Sequence, residues 1–164
     1  MMKQAEFLAE ELIKTRGWTK QLLADFSGAD WGYQPQPGMS HAIWLIGHIS
    51  LAQHGLVAVR CFGEAPLESA YADPFKIGST PLPVDQHTYP GAEELLTHFD
   101  RVQETVVAKV RGMSDEDLTA PVGGKPHPMF TTKGGAVVHS TRHEAFHTGQ
   151  IATLRRLLGR APLR

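Results

Sequence analysis

The stretch RHEAFHTGQI, residues 142–151, contains His143-Glu144-Ala145-Phe146-His147, an H-E-x-x-H pattern. Histidines four apart on a helix stand one turn above each other, about 6 Å along the axis, so both imidazoles reach one ion. Nine histidines occur in the 164 residues. Their placement matters, because neutral imidazole is the commonest metal ligand and the usual proton carrier near neutral pH. In zinc peptidases with this pattern the third ligand lies downstream, as a glutamate or a further histidine. Here only TGQIATLRRLLGRAPLR follows His147, with neither an acid nor a histidine. A third ligand has to come from earlier in the chain, and the peptidase reading falls.

An earlier candidate exists. Trp44, His48, Leu51 and Ala52 share one helical face, so His48 lies among apolar neighbours. In the last segment Ile151, Leu154 and Leu158 recur at steps of three and four. Stepping back by four from Ile151 reaches His147, then His143, then His139, which is placed to join or support the cluster. A buried imidazole without a partner costs about 1–3 kcal/mol. Taken singly, His48 reads as a core histidine bonded to a carbonyl, and the His143/His147 pair reads equally well as a hydrogen-bonded helical pair. Three core-facing histidines on two helices point instead to a shared divalent ion. Three neutral imidazoles leave coordination positions open, as catalytic rather than structural sites do. Glu144 is a candidate general base, although it points about 100° around the helix from His143, and a solvated surface carboxylate is the competing reading. His41, His54, His87, His98 and His127 read as solvent-facing.

Four helices are expected to position these groups. The first spans about Lys3 to Phe26, with Phe7, Leu8, Leu12, Trp18, Leu22, Leu23 and Phe26 as its apolar stripe. Ser40 is a suitable N-cap for a second helix ending near Phe62. Residues 63–90 hold five prolines and no sustained period, which predicts a long irregular crossover. A third helix follows Gly91, with Leu95, Leu96, Phe99, Val102, Val106 and Val110 inward. MSDEDL reads as a capping-box start to one short turn, and APVGGKPHPMFTTKGG as a loop. The last helix runs from about Gly135 to Leu158. The economical architecture is a single all-α domain, residues 1–164, folded as a four-helix bundle with at least one long crossover.

Composition narrows the function. Hydrophobic residues make up 41% and charged residues 20%, with a net charge of −1, so no electrostatic footprint for nucleic acid or an anionic membrane is expected. The single Cys61 rules out an internal disulfide and fits a reducing cytoplasm. MMKQAEFLAEELIK carries acids where a leader would be apolar. AIWLIGHISLAQHGLVAVRCF is almost long enough to span a bilayer, but His48, Ser50, Gln53 and His54 interrupt it and favour a core helix. Arg155, Arg156, Arg160 and Arg164 suit a helix C-terminus through its dipole.

WLIGHIS and HSTRHEAFHTGQIATLRRLLG resemble the signature blocks of the DinB/YfiT-like superfamily, with QPQPGMSHAIWLIGHI and MSDEDL in the matching order. The resemblance implies an up-down-down-up four-helix bundle, often a homodimer. It also implies a divalent metal, commonly zinc or nickel, on three histidines that match His48, His143 and His147. Family members often carry an arginine after the last histidine, in HRGQ; here that position is Thr148. Gly149 and Gln150 match, and Gln150 is either a supporting donor behind the ligands or merely a polar surface residue. An ion on three neutral histidines would activate water for hydrolysis, or a small thiol for attack on an electrophile. The resemblance covers both outcomes: hydrolases, and transferases or isomerases using bacillithiol, mycothiol or glutathione on a small-molecule substrate. The alternative is a non-catalytic metal-binding stress-response or interaction module.

Overall fold

The protein is described by a computed structural model covering residues 2–163; Arg164 and any role for it lie outside the described residues. The four long helices are α1 (Gln4–Leu23), α2 (Ala42–Phe62), α4 (Ala92–Arg111) and α6 (Lys133–Leu157). Two short ones punctuate the connections, α3 (Ser69–Ala72) and α5 (Asp115–Thr119). Among the described residues there is no strand, only the isolated bridges Pro121–Thr132 and His127–Phe130 in the loop before α6.

The core falls into two clusters that give the course of the chain. One joins Ala5, Ala9 and Leu12 of α1 to Val57 and Cys61 of α2, Val106 and Val110 of α4, and Ala136 and Val137 of α6. The other joins Leu22 and Leu23 to Ile43, Trp44, Leu45, Ile46 and Ile49, Leu95 and Phe99, and Ile151 and Leu154. The start of α1 therefore lies beside the end of α2, the end of α4 and the start of α6. That is the up-down-down-up bundle. Since α2 and α4 run parallel, the chain must return along the bundle between them, and residues 63–91 make that crossover. At and between the two clusters lies a buried polar layer: Arg16, Thr19, His48, Ser50, Gln53, Gln103, Glu144, His147 and Thr148.

The first helix keeps Leu8, Leu12, Leu22, Leu23 and Phe26 of its expected stripe on the core side but not its other two aromatics. Phe7 is 49% exposed and Trp18 54% exposed, while Ala5, Ala9, Leu12, Arg16, Thr19, Leu22 and Leu23 face inward. The cap of α2 also differs from expectation. His41, not Ser40, is the N-cap, its Nδ1 accepting from the Trp44 N–H at 3.2 Å. Ser114 and Asp117 form the capping box at α5. Within α2 the turn His54–Val59 is widened to i→i+5 bonding. The helix as a whole is long and apolar enough to cross a membrane, yet 67% of its apolar window is buried inside the bundle.

Candidate metal centre

His48 lies in the middle of α2, while His143 and His147 stack on consecutive turns of α6. One ring nitrogen from each lies within 4.8 Å of the others, a group that could hold a metal ion. His143 Nε2 is 3.2 Å from His48 Nε2 and 3.3 Å from His147 Nε2. His48 and His147 are buried and His143 is half-buried.

The outer nitrogens decide which way the lone pairs point. The Phe75 carbonyl, which can only accept, lies 2.7 Å from His48 Nδ1, so that nitrogen carries the proton. Gln150 Oε1 accepts from His147 Nδ1–H at 2.7 Å. A neutral imidazole has one N–H, so both Nε2 atoms present bare lone pairs to His143. His143 Nε2–H can satisfy only one of them; a cation satisfies all three. Burial pushes all three imidazoles below the usual histidine range. His143 drops to about 3, through burial first and then the neighbouring charges of His147, His48 and His139. The rings are therefore neutral at neutral pH, the form that ligates metals.

Two other expected site residues are not brought to this point. The His139 ring centroid is 6.5 Å from that of His143, and His139 packs instead on His127 and Phe130 at 5.1 and 5.4 Å. Glu144 is neither a solvated carboxylate nor free to act as a base. It is 2% exposed and faces α1, where Arg16 Nε donates to Oε1 at 2.8 Å and Arg16 Nη2 to Oε2 at 3.1 Å. Thr19 Oγ1 donates to the same Oε1 at 3.0 Å. The 100° offset from His143 turns this side chain toward the neighbouring helix rather than toward water.

The Arg16 guanidinium joins all four long helices. It also donates to the Phe99 carbonyl and, at 3.0 Å, to Gln53 Oε1, and it lies 3.3 Å over the centre of the Phe99 ring. Gln53 Nε2 donates to Gln103 Oε1 at 2.6 Å. Thr148 is fully buried, with its hydroxyl 2.7 Å from that of Thr19. A sequence signal for this network was present: Arg16 sits four after Leu12 and three before Thr19, an arginine within a core stripe.

Of the histidines expected to face solvent, His41 is fully buried, and its Nε2–H donates to the Leu82 carbonyl at 3.0 Å. Of the C-terminal arginines, Arg155 is buried against α1, donating to the Leu22 carbonyl at 2.7 Å and pairing with Asp25. Arg160 pairs with Asp25 and Asp30. These two tie the ends of α6 and α1 together, beyond any effect on the dipole of α6 itself.

The profile of the DinB superfamily matches residues 11–151. The chain belongs to the DinB superfamily. Its fold is similar to the crystal structure of a conserved protein from Enterococcus faecalis, with a TM-score of 0.79 over 98% of this chain and 100% of that one, at 18% identity. At that identity the likeness is one of fold. No curated protein matches the chain. Within this DinB chain, the matched span takes in all three converging histidines and the Arg16–Glu144 pair.

Proposed function

We propose that this DinB protein is a metal-dependent enzyme that holds a divalent ion, zinc or nickel, on His48, His143 and His147. The observation that carries the proposal is the pair of fixed tautomers: two buried Nε2 lone pairs converge on a third, with their Nδ1 protons already committed elsewhere. Such an arrangement is costly without a cation, because at least one buried acceptor is left unpaired. A divalent ion bound there supplies a Lewis acid that makes water or a low-molecular-weight thiol a better nucleophile at neutral pH. The chain's own contribution is orientation: Phe75 and Gln150 hold the rings, and the surrounding apolar residues limit competing solvent. Hydrolysis and thiol transfer to a small-molecule substrate are the two reaction classes in the proposal. A cytoplasmic location and a homodimer belong to it too; exposed Trp18 and Phe146 on the outer faces of α1 and α6 support the latter.

One observation favours a second reading, a non-catalytic metal-binding module. Two of the three histidines are buried, and a cleft of about 930 Å³ beside Tyr71, His98 and Arg101 does not include the triad.

Metal content by elemental mass spectrometry on untagged protein, beside His48→Ala and His147→Ala variants, tests the site. Near-stoichiometric metal in the parent, lost in both variants, is the expected result. A parent that is metal-free and cannot be loaded with zinc, nickel or manganese overturns the metal reading. Hydrolase and thiol-transfer screens on loaded protein then separate the enzyme from the binding module.

A further inference from the structure

The crossover between α2 and α4 holds five prolines and no regular element long enough to pair its carbonyls internally. Its carbonyls are instead taken up by a row of ring N–H groups on α2. His41 Nε2–H donates to Leu82 at 3.0 Å, Trp44 Nε1–H to Pro74 at 2.9 Å, and His48 Nδ1–H to Phe75 at 2.7 Å. The three donors are spaced i, i+3 and i+7, one stripe along the helix. The Trp44 ring also stacks on His48, with centroids 4.6 Å apart and planes 11° from parallel.

Phe75 is fixed from its other end. Its ring is fully buried and sits directly on the backbone of Gly47, the residue before His48. A Cβ placed on Gly47 would stand 2.5 Å from two carbons of that ring, a separation side chains do not tolerate. Gly47 has no positive φ, and the space above it is filled by Phe75. The glycine is thus required for close approach and not for backbone freedom.

We infer that the crossover is a positioning element of the three-histidine site: Gly47 admits the Phe75 ring, and the Phe75 carbonyl then fixes the proton of His48 on Nδ1, leaving Nε2 open toward His143 and His147. The role in metal binding rests on the function proposed above; the role in setting the tautomer does not. An acceptor on the outer nitrogen of a ligating histidine fixes ring orientation and raises ligand basicity, and its loss typically lowers metal affinity about 10–100-fold. Coupling of this kind is reciprocal, so an ion on His48 also strengthens the hold of α2 on the crossover.

The experiment compares wild type, Gly47→Ala and the double variant Gly47→Ala/Phe75→Leu, in which the smaller side chain relieves the clash. Two quantities are read: zinc affinity by chelator competition, and the His48 tautomer in metal-free protein by long-range proton–nitrogen NMR. Expected are an Nδ1–H tautomer in wild type, a mixed tautomer and roughly 10–100-fold weaker zinc binding in Gly47→Ala, and recovery of both in the double variant. Circular dichroism confirms that each variant folds, and the double variant keeps the test valid if Gly47→Ala does not. Unchanged zinc affinity in Gly47→Ala overturns the inference. So does weaker binding with the Nδ1–H tautomer intact, or a double variant that folds yet recovers neither quantity. A wild type that binds no zinc overturns the proposed function instead, and the tautomer comparison alone then decides the role of Phe75.

Discussion

Removing one charge from the Arg16–Glu144 pair should be far more damaging than removing both. Arg16 is 3% exposed and Glu144 2% exposed, so neither charge has water to fall back on. Glu144→Gln keeps the shape and one acceptor oxygen but strands a buried guanidinium. Losing one partner of a buried pair costs about 3–5 kcal/mol. The lower end applies here, because the Phe99 carbonyl, the Phe99 ring and Gln53 still hold Arg16. Arg16→Met leaves the carboxylate with little but the Thr19 hydroxyl, and the upper end applies. The double variant Arg16→Met/Glu144→Gln removes both buried charges with their desolvation penalties and conserves most of the volume, at a cost of about 1 kcal/mol. With a urea m-value of about 2 kcal/mol/M, Glu144→Gln lowers the unfolding midpoint by about 1.5 M and Arg16→Met by about 2.5 M. The double variant stays within about 0.5 M of wild type. Urea titrations followed by tryptophan fluorescence measure all four corners of the cycle. Single variants within experimental error of wild type, or a double variant whose loss equals the sum of the singles, would refute the idea of one closed electrostatic unit.

Three further outcomes follow from the same geometry. Burial holds His143 at about 3, below its unfolded value, so the unfolded chain binds more protons between the two. Metal-free protein should then be at full stability above about pH 6.5, and between pH 6.5 and 5 His143 alone should remove about 2 kcal/mol; urea midpoints in chelator, with and without His143→Phe, check the slope. Gln150→Leu should weaken zinc binding about tenfold with little change in the midpoint, because it frees the His147 ring that Gln150 orients. Arg155→Ala should cost about 1–2 kcal/mol in urea unfolding, since it leaves the Leu22 carbonyl at the end of α1 without its donor, whereas half-exposed Asp25 keeps Arg160 as a partner; a loss below about 0.5 kcal/mol would show that this contact does not tie α6 to α1.

The sequence by itself determined the features that depend on neighbours along the chain. The four long helices, the capping box at Ser114 and the alignment of His143 with His147 follow from i, i+3 and i+4 relations, which are the same in every α-helix. His48 was legible as a core position because its face of α2 is apolar. Tertiary structure alone decided whether residue 48 met residues 143 and 147, since that depends on how two helices far apart in the chain are rotated and slid against each other. It also decided the fate of side chains whose chemistry suits water or core equally. Glu144 turned inward because Arg16 waits on α1, whereas Phe7 and Trp18 lie outward although their side chains would suit a core. His41 and Phe75 show the same limit from the loop side. Their roles come from a proline-rich crossover whose path has no local period to read, and only the folded chain brings its carbonyls to the ring N–H groups of α2.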